Sequence, residues 1–235
     1  MKSTLEIASL LLDSAHSPAG DRARGTFAGV PVELRFVDRG VGSYTDLYTE
    51  IVVLGAGVRR DLHLAVVPRR EKHAGYVNEG LATHVRLGDA AFDDAFLVEA
   101  APADVVRALM DEDARRAMLS HGRVGLHTTT DGLMIEREAW MDEPDEIRPL
   151  IALAVRIAAN VDGAFLAADR AQAERAGYRT GPIADLDAAR RQEVAVVKER
   201  QSEREDREQT RSLFAVFAIF AVLALIASAV AAMRR

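Results

Sequence analysis

The stretch VGLHTTTDGLMIEREAW, residues 124–140, predicts a β-hairpin. Its two strands, residues 124–130 and 133–140, are joined by Asp131 and Gly132, the dipeptide that gives the strongest short hairpin signal in the chain. Hairpin strands are antiparallel, so this stretch favours an antiparallel sheet.

Further strands are predicted before this hairpin. Four runs have β-branched, aromatic or alternating apolar residues: residues 25–28, 32–36, 44–54 and 62–67. Gly29 separates the first two, and residues 83–87 are a fifth, shorter candidate. These runs indicate a meander of about four strands.

Helical patterns occupy the rest of the head. Leu5, Ala8, Leu11 and Leu12 form one apolar stripe at the N-terminus. Pro102 and Asp111 suit the starts of two short helices, of which the second ends at Gly122.

A long helix is predicted from Asp142. Its apolar positions recur every three or four residues: Ile147, Leu150, Ile151, Ala154, Val155, Ala158, Val161 and Phe165. The order of elements lacks the regular strand–helix alternation of a parallel sheet. We therefore predict an α+β head, residues 1–186, in which an antiparallel sheet (meander plus hairpin) packs against helices.

The run LFAVFAIFAVLALIASAVAAM, residues 213–233, has Ser228 as its only polar residue. As a helix it would be about 31 Å long, close to the hydrocarbon thickness of a bilayer. We therefore predict a transmembrane helix that anchors the chain. Residues 187–212 are helix-favouring and charged on every side, which predicts a solvated helical stalk.

Basic residues near this run predict its orientation. Five precede it and two follow it: Lys198, Arg200, Arg204, Arg207 and Arg211 before, Arg234 and Arg235 after. The side richer in lysine and arginine stays in the cytoplasm, so we expect a cytoplasmic head and a tail-anchored, single-pass topology.

The composition excludes several kinds of site. The chain has no cysteine, and therefore neither disulfides nor thiolate ligands. Residues 1–186 hold 21 basic and 29 acidic residues, which is not the basic footprint of a nucleic-acid-binding protein. The sequence has no G-x-S-x-G elbow and no glycine-rich phosphate loop. We expect no cofactor and no nucleic-acid partner.

Two sets of titratable residues are candidates for chemistry. His121, His127 and Asp131 could form a metal site of two histidines and one carboxylate, and Asp93 with Asp94 could serve in acid–base catalysis. Solvent-facing histidines and solvated or helix-capping aspartates are the simpler interpretation, because no zinc-ligand spacing is present. We assign no catalytic or metal-binding residue on the sequence alone.

Two further groups are candidates for contacts with lipid or with a second copy. The one basic cluster on the acidic head could contact anionic headgroups, or could be a solvated loop: Arg59, Arg60, Arg69, Arg70 and Lys72. In the apolar run, Ala224, Ser228 and Ala232 have the small-xxx-small spacing that lets two transmembrane helices approach, which makes a homodimer a candidate.

The segment GDAAFDDAFLVEAAPADVVRALMDEDARRAML, residues 88–119, resembles a family of uncharacterised bacterial membrane-associated domains with an F-D-x-x-F-x-V motif. In that family the motif precedes a short helix and a leucine-rich second helix. The resemblance implies a bacterial origin, and hence the inner (cytoplasmic) membrane for the predicted anchor. It implies no activity.

The sequence leaves two functions open. In the first, the cytoplasmic head is a non-enzymatic protein-interaction module. In the second, the head is a membrane-tethered domain that binds a small ligand or a lipid headgroup, with hydrolytic activity through Asp93, Asp94 or His127. A partner-binding head should expose apolar side chains, whereas a ligand site needs a concave pocket of converging polar groups.

Overall fold

The computed structural model describes residues 3–40, 45–55, 62–70, 84–175, 188 and 190–204. The strands are β1 (Asp13–Ala19), β2 (Arg22–Phe27), β3 (Val30–Asp38), β4 (Leu47–Leu54), β5 (His63–Pro68), β6 (Phe96–Ala101), β7 (Val124–Thr128) and β8 (Gly132–Arg137). The helices are α1 (Thr4–Leu11), α2 (Ala90–Ala95), α3 (Ala103–Leu109), α4 (Glu112–His121) and α5 (Pro144–Arg175). Residues 190–204 are also helical.

The eight strands form one antiparallel sheet in the order β1-β2-β3-β4-β8-β7-β5-β6. The α+β class and the antiparallel sheet are therefore confirmed. The prediction of a continuous four-strand meander was wrong in one respect, because β5 does not pair with β4. The β7–β8 hairpin lies between them, with β8 on β4 and β7 on β5.

The core lies between one face of this sheet and a layer of helices. Successive side chains of a strand point to opposite faces of the sheet. In β3, Val32, Leu34 and Phe36 point to the core face and are buried. From the helix layer, α5 covers β4 and β8 with the stripe that its sequence predicts. Seven of the eight predicted stripe positions are buried: Ile147, Leu150, Ile151, Ala154, Ala158, Val161 and Phe165.

Helix α5 is also the one described helix that is long and apolar enough to cross a membrane, over Pro144–Gln172. Half of that stretch is buried inside the protein. Ile147, Leu150 and Ile151 are completely buried in the core, so packing against the sheet accounts for the apolar character of this helix.

The N-terminal helix is confirmed, but its buried face differs slightly from the predicted stripe. Ile7 and Ala8 are fully buried, whereas Leu5 is 40% exposed. Ser3 and Glu6 form a capping box at its start. Strand β1 follows directly and has no apolar alternation, because it lies at the sheet edge and six of its seven residues are exposed.

In the segment before α3 the structure differs from the prediction. Residues 84–87 form no strand, although the Val85 amide donates to the Val98 carbonyl at 2.8 Å. Asp93 and Asp94 lie in the short helix α2, directly before β6. The next predictions are confirmed: Asp111 caps α4, and Gly122 ends it with a φ of 72°.

Thr128 and Leu133 are the last paired residues of the central hairpin, and residues 129–132 connect them. Gly132, the first residue of β8, also pairs with Leu54 of β4. The Thr129 amide donates to the Gly132 carbonyl at 2.7 Å. Gly132 has a φ of 155°, and a Cβ placed there would lie 1.9 Å from the carbonyl oxygen of Val53 in β4. Only glycine therefore allows β8 to begin this close to β4.

The chain divides into two compact units, Met1–Val197 and Lys198–Arg235. The first unit extends beyond residue 186 because part of the predicted stalk packs on the head, with Arg190 and Val194 buried. Stalk residues 190–204 are helical as predicted, but those two side chains are not solvated. The predicted anchor, residues 213–233, lies outside the described residues.

Gly132→Ala should lower the free energy of unfolding by about 2 kcal/mol or more, because the new methyl group meets a backbone atom that cannot move aside. Urea unfolding of the full chain in detergent micelles measures this through Trp140. This residue is the only tryptophan in the chain, and its ring stacks on Phe36 with the ring centroids 4.4 Å apart.

Gly163→Ala is the matched control. Gly163 lies inside α5 with open space around its Cα, so alanine should raise the free energy of unfolding by about 0.5–1 kcal/mol. An unchanged unfolding midpoint for Gly132→Ala would contradict the close approach of β8 to Val53.

Candidate functional site

The sheet face opposite the helices carries a network of charged side chains, which we call the charged face. Its members come from β2, β3, β4, β8 and β7, and from the residue after β3: Arg24, Glu33, Arg35, Arg39, Glu50, Glu136 and His127. They occupy the strand positions that alternate with the core residues. The antiparallel register places Arg24 opposite Glu33, and Arg35 opposite Glu50.

Glu33 is the most deeply buried member of this network, with no exposed surface. The Nε groups of Arg24 and Arg35 each donate to one of its carboxylate oxygens. Burial alone would raise the pKa of Glu33, but the two guanidinium groups outweigh it and hold the pKa below its ordinary value. Arg35 also donates to Asp131 at 2.9 Å, which ties β3 to the hairpin loop.

The register also places two carboxylates opposite each other, Glu50 and Glu136. Like charges in directly opposed strand positions repel. Arg39 lies between them: its Nη2 donates to Glu50, and its Nη1 lies 2.9 Å from Glu136. The Arg39 guanidinium also stacks 4.4 Å from the centroid of the Tyr48 ring. One arginine thus neutralises the repulsion that the strand register creates.

His127 and Glu136 form a hydrogen-bonded pair at the centre of the sheet. Nε2 of His127 donates to Oε1 of Glu136 at 3.1 Å. Burial alone would raise the pKa of Glu136, but His127 and Arg39 outweigh it and lower the pKa. Gly125 makes room for the pair, because a Cβ there would lie 2.8 Å from Nε2 of His127.

In this pair the Glu136 carboxylate fixes the orientation of the His127 ring. With Nε2 donating to Glu136, the lone pair of a neutral His127 is on Nδ1, which has no hydrogen-bond partner among the described residues. Such a nitrogen can accept a proton from a ligand or a water. Both side chains keep partial solvent exposure, 22% for His127 and 17% for Glu136.

The candidate metal site of two histidines and one carboxylate does not assemble. His127 pairs with Glu136, whereas Asp131 pairs with Arg35. His121 ends α4, where burial and then the charge of Arg137 lower its pKa. Within the residues that the structure describes, no group of three histidine, aspartate or glutamate side chains could hold a metal ion.

The aspartates near α2 have structural partners. Asp89 caps α2 by accepting from the Phe92 amide at 3.2 Å, and it also pairs with Arg115. Asp93 accepts from the amides of Leu87 and Gly88 at 3.0 and 3.2 Å. Asp94 is exposed. The solvated interpretation therefore fits Asp94, whereas the residue that caps the helix is Asp89 and not Asp93. Helix α2 lies on the opposite side of the sheet from His127.

Only part of the basic cluster lies in the described residues. Arg69 and Arg70 follow the end of β5, and Arg69 donates to Nδ1 of His84 at 3.1 Å. Arg70 donates to Glu138 just beyond β8. The other three members fall outside the described residues, as do the three candidate packing positions of the apolar run: Arg59, Arg60 and Lys72, and Ala224, Ser228 and Ala232.

Of the members of the charged face, only His127 was a candidate site residue on the sequence alone. The alternation of Glu33 and Arg35 with apolar neighbours does indicate a polar strand face. It does not show which strands are neighbours or in which register they pair. Without the order β3-β4-β8-β7, the contacts of Arg39 and Glu136 cannot be found.

Glu136→Gln should lower the free energy of unfolding at pH 7 by about 1–3 kcal/mol, because Arg39 and His127 lose a charged partner in a partly buried site. The lowered folded pKa makes this contribution complete above about pH 4.3, the ordinary glutamate pKa. It is lost as the pH falls through the folded pKa, so the difference between wild type and variant should shrink in acid. Urea unfolding over a pH series measures both effects.

Glu112→Gln is the matched control, since Glu112 is 73% exposed and pairs with the exposed Arg116. It should change stability by less than about 0.5 kcal/mol at every pH. Equal losses in the two variants, or a loss in Glu136→Gln that does not depend on pH, would contradict the role of Glu136 as an ionised partner.

Comparison with known proteins assigns no family: no protein-family model matches the sequence, and no curated protein is significantly similar to it.

Proposed function

We propose that this chain is a membrane-anchored bacterial protein whose cytoplasmic head is a protein-interaction module. The anchor in this proposal is the apolar run of residues 213–233. The excess of basic residues before that run supports the cytoplasmic side for the head. The resemblance of residues 88–119 to bacterial membrane-associated domains supports the same assignment.

The observation that carries the non-enzymatic assignment is the internal neutralisation of the charged face. Its carboxylates, Glu33, Glu50 and Glu136, each lie against at least one arginine. The pKa values of Glu33 and Glu136 are lowered, which keeps both groups ionised at neutral pH. A general acid needs the opposite shift. The network is therefore suited to fixing strands in place and poorly suited to proton transfer by its carboxylates.

The head also exposes large apolar side chains that a partner could cover. The described residues include four of these: Leu5, Leu10, Leu166 and Val196. Leu10 and Leu166 are more than half exposed, at 58% and 59%. Leu10 lies on α1, whose opposite face is anchored in the core, so a partner could bind it without disturbing the fold. These positions make the proposal testable.

The His127–Glu136 pair favours a second candidate function, a ligand-binding or hydrolytic site on the charged face. Its support is Nδ1 of His127, which has no hydrogen-bond partner among the described residues, together with the space that Gly125 leaves beside the pair. This candidate requires a ligand that contacts His127. Asp93 and Asp94, the other candidate hydrolytic residues, lie on the far side of the sheet.

The anchor is tested by fractionation and protease protection. Deleting residues 213–233 should move the chain from the membrane to the soluble fraction of bacterial cells, because no other apolar segment is proposed to hold it there. Protease added outside intact cells should leave the head of the full chain uncut, and protease added to inverted membrane vesicles should remove it. A head cleaved in intact cells would reverse the proposed orientation.

The interaction function is tested by affinity capture of the detergent-solubilised full chain, followed by mass spectrometry of bound proteins and small molecules. A protein partner of α1 should be captured by wild type and by Ser9→Asp, and should be at least about tenfold depleted with Leu10→Asp, which places a charge in the apolar contact. Ser9 is an exposed neighbour on the same helix.

The capture has two outcomes that contradict the proposal. One is a partner that binds a chain in which only residues 213–233 are kept, since the head would then have no part in binding. The other is a small molecule whose capture is lost with His127→Ala and not with Leu10→Asp, which would favour the ligand-binding alternative.

A further inference from the structure

The helical residues 190–197 pack on the head against α3 and α5, although their sequence predicts a solvated stalk. Val194 is 5% exposed, and the Glu193 carboxylate accepts from the Ala103 amide at 3.1 Å. That amide lies at the start of α3, where Pro102 provides no capping side chain. Glu193 thus supplies an acceptor that the α3 sequence lacks.

Arg190 makes the main polar contact of this segment. Its side chain is 4% exposed and lies between two helices, with Nη2 3.1 Å from Asp104 in α3 and Nη1 donating to Asp169 in α5. The guanidinium carbon lies 5.6 Å from the centroid of the Phe165 ring. Burial alone would lower the pKa of Arg190, but the two carboxylates outweigh it and raise the pKa.

Few apolar contacts hold this segment on the head. Val194 is its only buried apolar side chain, and Val196 is 40% exposed. Nε of Arg190 is buried and has no hydrogen-bond partner among the described residues, so the desolvation of this arginine is only partly compensated. A contact of this kind adds little net stability but is lost when either partner is removed.

We propose that residues 190–197 form an electrostatic latch, a segment that docks on α3 and α5 through Arg190 and Glu193 and releases as a unit while the sheet and α5 stay folded. Regions with few buried apolar contacts open locally at lower free energy than the whole domain. Release uncovers Asp104, Asp169 and Phe165, an acidic surface with an aromatic ring that fits the arginine of the latch.

Hydrogen exchange of the full chain in detergent micelles, read by mass spectrometry, tests the latch. In Arg190→Ala, peptides covering residues 190–197 should exchange at least about tenfold faster than in wild type, because Asp104 and Asp169 lose their counter-charge. Peptides from α5 between residues 147 and 158 and from β4 should be unchanged. Arg191→Ala, which removes an exposed arginine from the same helix, should leave the segment as protected as in wild type.

Two further variants make the test specific for charge. Glu193→Gln keeps the size of the side chain and should accelerate exchange of the segment in the same direction by a smaller factor. Exchanging the pair, with Arg190→Asp and Asp169→Arg together, should restore part of the protection that Arg190→Ala loses, since the two exchanged side chains can again form an ion pair. The restoration should be partial, because the new carboxylate at position 190 also faces Asp104.

Two results would overturn the latch. Unchanged exchange of residues 190–197 in Arg190→Ala would show that the ion pairs do not hold the segment. Acceleration of the α5 and β4 peptides by the same factor as the segment would show that the segment opens only with the whole domain.

Discussion

The pairing of β8 with β4 is the interaction on which the rest of the head depends. It joins two parts of the sheet that the chain builds separately, β1–β4 on one side and β7, β5 and β6 on the other. Helix α5 packs across this junction, with contacts to both β4 and β8. Gly132 allows the junction to begin next to Val53, where any Cβ would meet a carbonyl oxygen. The close approach of Gly132 to Val53 therefore allows β8 to pair with β4. This pairing makes the sheet continuous, and α5 covers the surface that results.

The same pairing determines the chemistry of the opposite face. It sets Glu50 against Glu136, an arrangement that is unfavourable without a counter-charge. Arg39 comes from the end of the neighbouring strand and supplies that charge to both carboxylates. Glu136 can then accept the hydrogen bond of His127 as well. The charged face is therefore a consequence of the strand register, which brings these charged side chains together.

Local patterns in the sequence were sufficient for much of the fold. The hairpin at Asp131 and Gly132, the strand Val32–Phe36 and the stripe of α5 each follow from periodicity or turn chemistry within a few residues. Strand β1 could not be predicted in this way, because its DSAHSPA sequence has polar residues on both faces of an edge strand. The separation of β4 from β5 and the pairs of the charged face could not be predicted either. Both depend on contacts between residues far apart in the chain, which periodicity does not encode.

Arg190 was missed for a different reason, and the difference separates the two arginine sites physically. Arg35 binds carboxylates whose positions the strand register fixes, and Arg39 binds two carboxylates that the β4–β8 register places opposite each other. Arg190 also lies between two carboxylates, but one helical segment with a single buried valine carries it to them. Apolar periodicity cannot find a docked segment whose main buried side chain is charged. The same weakness of apolar burial is what allows that segment to leave the head while the sheet remains intact.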